Sequence, residues 1–233
     1  MIAKYENMWK EFAGMIHDTM PDNILQISIY DPQTEKGKLF VLTEDSSIPK
    51  LAALSPIIQK MIKKELHIPL IIGKFFVETS RDSFPLEFIN IQSAYQNVLA
   101  PKDYIKELTF TKADVRLQME REIKSKILLT RLSALENLEQ VKNLHRLISI
   151  SIHSIIPIMK GFMFLSDTKM PYHFKDLFKE CEKLLHEDLQ VFVQALSIEE
   201  EQLSKDKLLD FFNQYTNKMM SLMYIIEKFP IEK

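Results

Sequence analysis

The sequence predicts an α+β protein, with an α/β domain over residues 1–110 followed by an all-α helical bundle over 111–233. Three observations lead there. Strand-type runs are confined to the first half. From Thr111 onward the apolar residues recur at helical spacing. Between the two, over residues 84–132, a β-type segment feeds a long charged helix, and the period of the pattern changes.

The elements follow in order. Tyr5, Trp9, Phe12, Ile16 and Met20 fall at helical spacing, and Pro21-Asp22-Asn23 ends that helix. Residues 24–30 and 39–43 read as strands, joined by the turn composition Asp31-Pro32-Gln33-Thr34-Glu35-Lys36-Gly37. Ser46 or Ser47 caps the next helix, with Pro49 in its first turn and Pro56 set to break or restart it. A third strand is expected at about 70–79 and a fourth at about 86–91. The long helix has Thr111 as cap, Asp114 three residues on, and Phe110 and Val115 at the hydrophobic-staple positions. Val115, Met119, Ile123 and Ile127 then repeat every four residues.

Next comes a strongly apolar run, 147–165. Its length invites a membrane reading, but Pro157, Lys160 and His153 interrupt it, so a helix buried in the bundle is expected. Pro157 should kink or break that helix near 152–156. Pro171 opens a helix carrying Phe174, Leu177, Phe178 and Cys181, with a pause at His186-Glu187-Asp188. Ser204 caps the last helix, whose seam is read as Leu208, Phe212, Tyr215, Met219, Leu222 and Ile226.

Composition narrows the function classes. Of 233 residues, 46% are hydrophobic and 27% charged, an ordinary globular balance. The net charge of −2 gives no global field to steer nucleic acid. Cys181 is the sole cysteine, so no internal disulfide forms, and its apolar neighbours predict packing rather than reactivity. Residues 1–10 carry Lys4, Glu6 and Lys10 and lack an apolar core, so no signal peptide is expected and the compartment is read as cytoplasmic.

Phe84-Pro85-Leu86-Glu87-Phe88, Val98-Leu99, Arg116-Leu117-Gln118 with Glu120-Arg121-Glu122, and Arg131 resemble a bacterial family, itself uncharacterised. Its members join a nucleotidyltransferase-like N-terminal domain to a C-terminal helical domain. The resemblance implies a small mixed sheet in residues 1–110 and a helical bundle in 111–233. In the wider nucleotidyltransferase superfamily a Gly-Ser lets backbone approach the nucleotide phosphates. Two carboxylates, one position apart on the second strand, hold two Mg²⁺ with a third. Here Ile27-Ser28 stands where Gly-Ser is expected, and the second strand reads Lys38-Leu39-Phe40-Val41-Leu42 without a carboxylate. Glu87 alone stands near the third position.

Three readings therefore stay open. The first is a degenerate, non-catalytic nucleotidyltransferase-like protein that binds an unidentified protein or small molecule and needs no cofactor. The second is an active nucleotidyltransferase with rearranged Mg²⁺ ligands drawn from Asp31, Glu44 or Asp45 with Glu87. The third is a ribonuclease of the HEPN helical-bundle class using Arg146 and His153, which are seven residues apart and share a helix face. His145, His153, His173 and His186 lack zinc spacing, and four glycines build no phosphate loop. A basic stripe of Lys124, Lys126, Arg131, Lys142 and Arg146 is interleaved with acids, so nucleic-acid binding is unsupported. No membrane partner is expected, and the bundle is the candidate surface for a homodimer, while the sequence leaves the oligomeric state open.

Overall fold

The computed structural model describes residues 2–31, 37–201 and 203–231. The fold is α+β, and the chain divides into two compact units, Met1–Phe110 and Thr111–Lys233. The turn residues 32–36, Glu35 among them, lie outside the described residues.

In the first unit α1 (Ile2–Thr19) leads into β1 (Ile24–Tyr30) and β2 (Lys38–Thr43). After β2 the chain enters α2 (Ile48–Leu51), with Pro49 in its first turn. Ser47 holds the cap position, but its side chain makes no capping bond. The helix tightens to a 3₁₀ turn at Ala52–Leu54 and restarts as α3 (Ser55–Lys63), with Pro56 where its missing N–H costs nothing. Then follow β3 (Leu70–Gly73), α4 (Lys74–Thr79), α5 (Pro85–Ser93) and β4 (Tyr95–Leu99).

The four strands form one mixed sheet in the order β3-β2-β1-β4. β1 pairs antiparallel with β2 and β4, while β3 runs parallel to β2. One face buries Ile27, Ile29, Leu39 and Val41 against Trp9, Phe12, Ile16, Ile57 and Met61. The other packs Phe40 and Leu42 with Val77, Phe88, Ile91 and Ile105. A strand covered on both faces reads as a continuous apolar run, and that is why β2 does.

Two strand expectations are corrected. The third strand stops at Gly73, because residues 74–79 are helical. Gly73 leaves that junction room: a Cβ there would stand 2.7 Å from Ser46 Oγ. The segment expected as a fourth strand is α5. Pro85 sits in its first turn, where the missing N–H is no loss, and Leu86, Phe88, Ile89 and Ile91 are all buried. A strand covered on one side would bury every second residue. A short helix packed over the sheet buries neighbours 86 and 89, 88 and 91, three apart. The strand lies further on, at Tyr95–Leu99, whose centre Gln96-Asn97 is polar and exposed.

The second unit contains α6 (Lys112–Asn137), α7 (Val141–Leu165), α8 (Phe174–Leu185), α9 (Gln190–Ala195) and α10 (Lys205–Lys228). Thr111 caps α6, its Oγ1 accepting from the Asp114 N–H at 3.1 Å. The pairs Glu120–Lys124 and Glu122–Lys126 form along it. α7 is continuous through Pro157, so the expected break does not occur. Ile152, Ile155, Ile156, Ile158 and Met159 around the proline are all buried, and their packing holds the helix despite the lost bond to the His153 carbonyl. By length and composition α7 can cross a membrane, yet 61% of its most apolar window is buried within the protein. The chain pauses at His186, which adopts the left-handed conformation at φ 53° and closes α8.

Ser204 Oγ meets the Lys207 N–H at 3.5 Å at the start of α10. The seam of α10 is Leu208, Phe211, Tyr215, Met219, Leu222 and Ile226; Phe211, not Phe212, is buried. Tyr215 OH donates to Ser151 Oγ at 2.9 Å, and Thr130 Oγ1 lies 3.1 Å from the same oxygen. One polar contact thus ties α6, α7 and α10. Cys181 is fully buried, its Sγ 3.5 Å from the Met159 carbonyl. Burial pushes its thiol up to about 12, which leaves it protonated and unreactive at neutral pH.

Candidate functional site

The polar face of β1 builds the site upward from the sheet. Gln26 and Ser28 are both fully buried. They point to the same side because strand side chains alternate. Register sets Ser28 opposite Asn97 and Tyr30 opposite Tyr95 on β4. The segment after β4 returns across this edge and delivers Asp103, Tyr104 and Ile105.

Gln26 is the hub. Its Nε2 lies 2.6 Å from Asn97 Oδ1, 3.1 Å from Ser28 Oγ and 3.2 Å from Asp103 Oδ1. Its Oε1 accepts the backbone N–H groups of Tyr104 at 2.9 Å and Ile105 at 3.2 Å. Ser28 donates to Asn97 Oδ1 at 2.7 Å. Asp103 Oδ2 accepts from Tyr95 OH at 2.8 Å and Asn97 Nδ2 at 2.9 Å. Its Oδ1 takes the Lys106 N–H at 3.1 Å besides Gln26.

Burial by itself raises the Asp103 carboxyl. The bonds from Tyr95, the Lys106 backbone, Asn97 and Gln26 together outweigh that and hold it below the usual carboxylate range. Burial, then the bond to Asp103, pushes the Tyr95 phenol up to about 12. A carboxylate whose oxygens already meet four donors is poorly placed to bridge metals or take a proton. The cluster clamps the segment after β4 onto the sheet.

Beside the clamp is a cleft of about 320 Å³. Leu42, the cross-strand neighbour of Gln26, shares its floor with Val77, Tyr104 and Leu108. Its rim carries Lys74, Arg81 and Lys102 with Glu78 and Glu107. Lys102 lies 2.7 Å from Glu107 and sits 5.1 Å above the Tyr104 ring. The hydrogen bond and charge of Glu107 raise the Lys102 ammonium above its ordinary value.

The carboxylates singled out in the sequence are scattered over different elements. Glu87 is on the exposed side of the first turn of α5, a helix and not a strand. Asp31, at φ 53°, is buried and pairs with Lys38 at 2.9 Å. Glu44 is exposed, and its N–H bonds the Asn23 carbonyl at 2.9 Å. Asp45 caps a turn, its Oδ1 taking the Ser47 N–H at 2.8 Å, and that bond lowers its carboxyl. Among the described residues no group of three His, Cys, Asp or Glu side chains is arranged to hold a metal.

Arg146 and His153 are both exposed on α7. Arg146 lines a cavity of about 770 Å³ with Val141, Lys142, Asn143, His145, Glu199 and Glu201, and His153 is not in its wall. His153 Nδ1 is instead 2.7 Å from the Ser149 carbonyl, and its ring meets the Phe174 ring edge-on at 6.4 Å. His145, not singled out for catalysis by its spacing, has Nδ1 3.0 Å from the Val141 carbonyl and a buried Nε2 without a hydrogen-bond partner among the described residues.

The sequence signals missed Gln26, Asn97 and Asp103, because their partners are 71 and 77 residues away and no local spacing links them. The chain matches no protein-family model, and no curated protein matches it.

Proposed function

We propose that this chain is a non-catalytic, nucleotidyltransferase-like binding or interaction protein. The observation that carries the reading is β2. Leu39, Phe40, Val41 and Leu42 are at most 1% exposed and enter the core on both faces of the sheet. Metal-dependent nucleotidyl transfer needs two carboxylates on that strand. Paired Mg²⁺ ions about 3.5–4 Å apart repel each other unless negative charge bridges them. Ser28 adds support, since it is buried and donates to Asn97 rather than facing a ligand. Glu87, on an exposed helical turn, contributes one charge.

The cleft of Lys74, Arg81 and Lys102 over Leu42 and Tyr104 is the binding surface this reading assigns. Its rim of cations over an apolar floor suits a small anionic molecule with a flat or apolar part.

The test has two arms. The chain is incubated with the four nucleoside triphosphates, Mg²⁺ or Mn²⁺, and RNA, protein and small-molecule acceptors; no pyrophosphate release is expected. Robust release that Glu87→Gln abolishes overturns the reading. In a thermal-shift screen of anionic ligands, a stabilising ligand should lose its effect in Lys74→Ala/Arg81→Ala.

A further inference from the structure

Helix α6 carries apolar residues on two opposite sides. Val115, Met119, Ile123, Ile127 and Ala134 are buried. Leu117, Leu128, Leu129, Leu132 and Leu135 are 45%, 63%, 60%, 58% and 66% exposed. At about 100° per residue, Leu117, Leu128, Leu132 and Leu135 fall within about 60° of one another and roughly opposite Met119, along about 27 Å of helix. Leu129 widens the stripe on one side. Single exposed leucines are ordinary, whereas a contiguous run of them marks an interaction surface.

We infer that this stripe is the contact between two copies of the chain, packed antiparallel about a two-fold axis with Leu128 and Leu132 at its centre. The charges in line with the leucines give the orientation. Arg121 lies seven residues before Leu128, and Glu139 lies seven after Leu132. Leu138 keeps helical angles, φ −54° and ψ −29°, so the path of α6 continues toward Glu139. An antiparallel pair sets Arg121 against Glu139 of the partner subunit, twice by symmetry. A parallel pair sets arginine against arginine. Glu139 Oε2 is 2.7 Å from Lys205, yet the side chain stays 87% exposed and open to a second cation.

Leu128, Leu129, Leu132 and Leu135 of two such helices, with the aliphatic stems of Arg121, Lys124 and Arg131 beside them, form the contact, while Leu117, thirteen residues from its centre, lies beyond the end of the partner's helix.

Analytical ultracentrifugation of the full chain over a concentration series is the test, with circular dichroism and thermal melts alongside. The wild-type chain is expected to dimerise. Leu128→Glu/Leu132→Glu should raise the dimer Kd by about 100-fold or more, because it buries charge in an apolar seam. Its helicity should stay at the wild-type value, and its Tm should match that of the wild-type chain diluted below its dimer Kd. Arg121→Glu should weaken the dimer, and adding Glu139→Arg should restore it. A wild-type chain that stays monomeric throughout overturns the proposal, as does a dimer that the double leucine variant leaves intact. So does a double leucine variant with lowered Tm and unchanged mass, which would mean that the chain's own residues cover the stripe. Failure of the charge swap to rescue overturns the antiparallel register.

Discussion

At Asp103 four donors converge on one carboxylate, and stability should follow its charge. The folded carboxyl titrates below its unfolded value of about 4. The unfolded chain therefore takes up the proton first as pH falls. The stabilisation is complete above about pH 4 and is lost on acidification through the folded value. Asp103→Asn should flatten that acid limb in urea melts at a series of pH values. At neutral pH it should cost about 1–2 kcal/mol, since an amide offers one acceptor oxygen where two are used. The Ser151 hydroxyl makes a contrasting case. Tyr215→Phe leaves Ser151 and Thr130 paired and should cost about 1 kcal/mol, whereas Ser151→Ala strands a buried phenol and should cost about 1–3 kcal/mol. Equal losses in chemical denaturation would contradict that asymmetry. Burial holds the Tyr215 phenol above its ordinary value, so neither cost should vary with pH below about 10.

Among the elements, Pro157 tests how far packing outweighs backbone preference. An interior helix proline costs about 3 kcal/mol relative to alanine. Pro157→Ala restores one N–H to a helix already held by its neighbours, so it should stabilise by about 1–3 kcal/mol in equilibrium denaturation. His186→Gly, at a left-handed cap, should add about 0.5–1 kcal/mol. Elements with strong local signals were legible in the sequence. Thr111 and Asp114 announce α6, the alternation Ile27-Ser28-Ile29 announces β1, and the continuous apolar run Leu39–Leu42 announces β2. The segment around Glu87 was misread because Leu86, Phe88, Ile89 and Ile91 satisfy either period over so short a length. Its helix is decided by Pro85 at the start and by the sheet it covers. β4 is hidden for the opposite reason: its centre, Gln96-Asn97, carries no apolar alternation, and only its pairing with β1 brings Asn97 to the Gln26 hub. The same non-local pairing hid the clamp itself. On α6 apolar residues lie on two sides, and spacing alone does not separate the buried Val115, Met119, Ile123 and Ile127 from the exposed leucines.

For the whole molecule, each unit has its own buried core, so residues 111–233 expressed alone should fold into a helical, cooperatively melting unit by circular dichroism. A fragment without a thermal transition would refute that. The sheet order has a further consequence. β4 pairs with β1 across 65 residues at Tyr30–Tyr95, and β3 reaches β2 only after the chain has run through α2 and α3. In the second unit α6 and α7 are joined by a short turn and pack side by side. Closing long loops before any contact rewards them slows a chain, and near-neighbour helix packing does not. Refolding from denaturant should therefore be biphasic. The helical half forms first, and the edge strand β4, locked only when Gln26 captures the returning segment, is the last part of the protein to find its place.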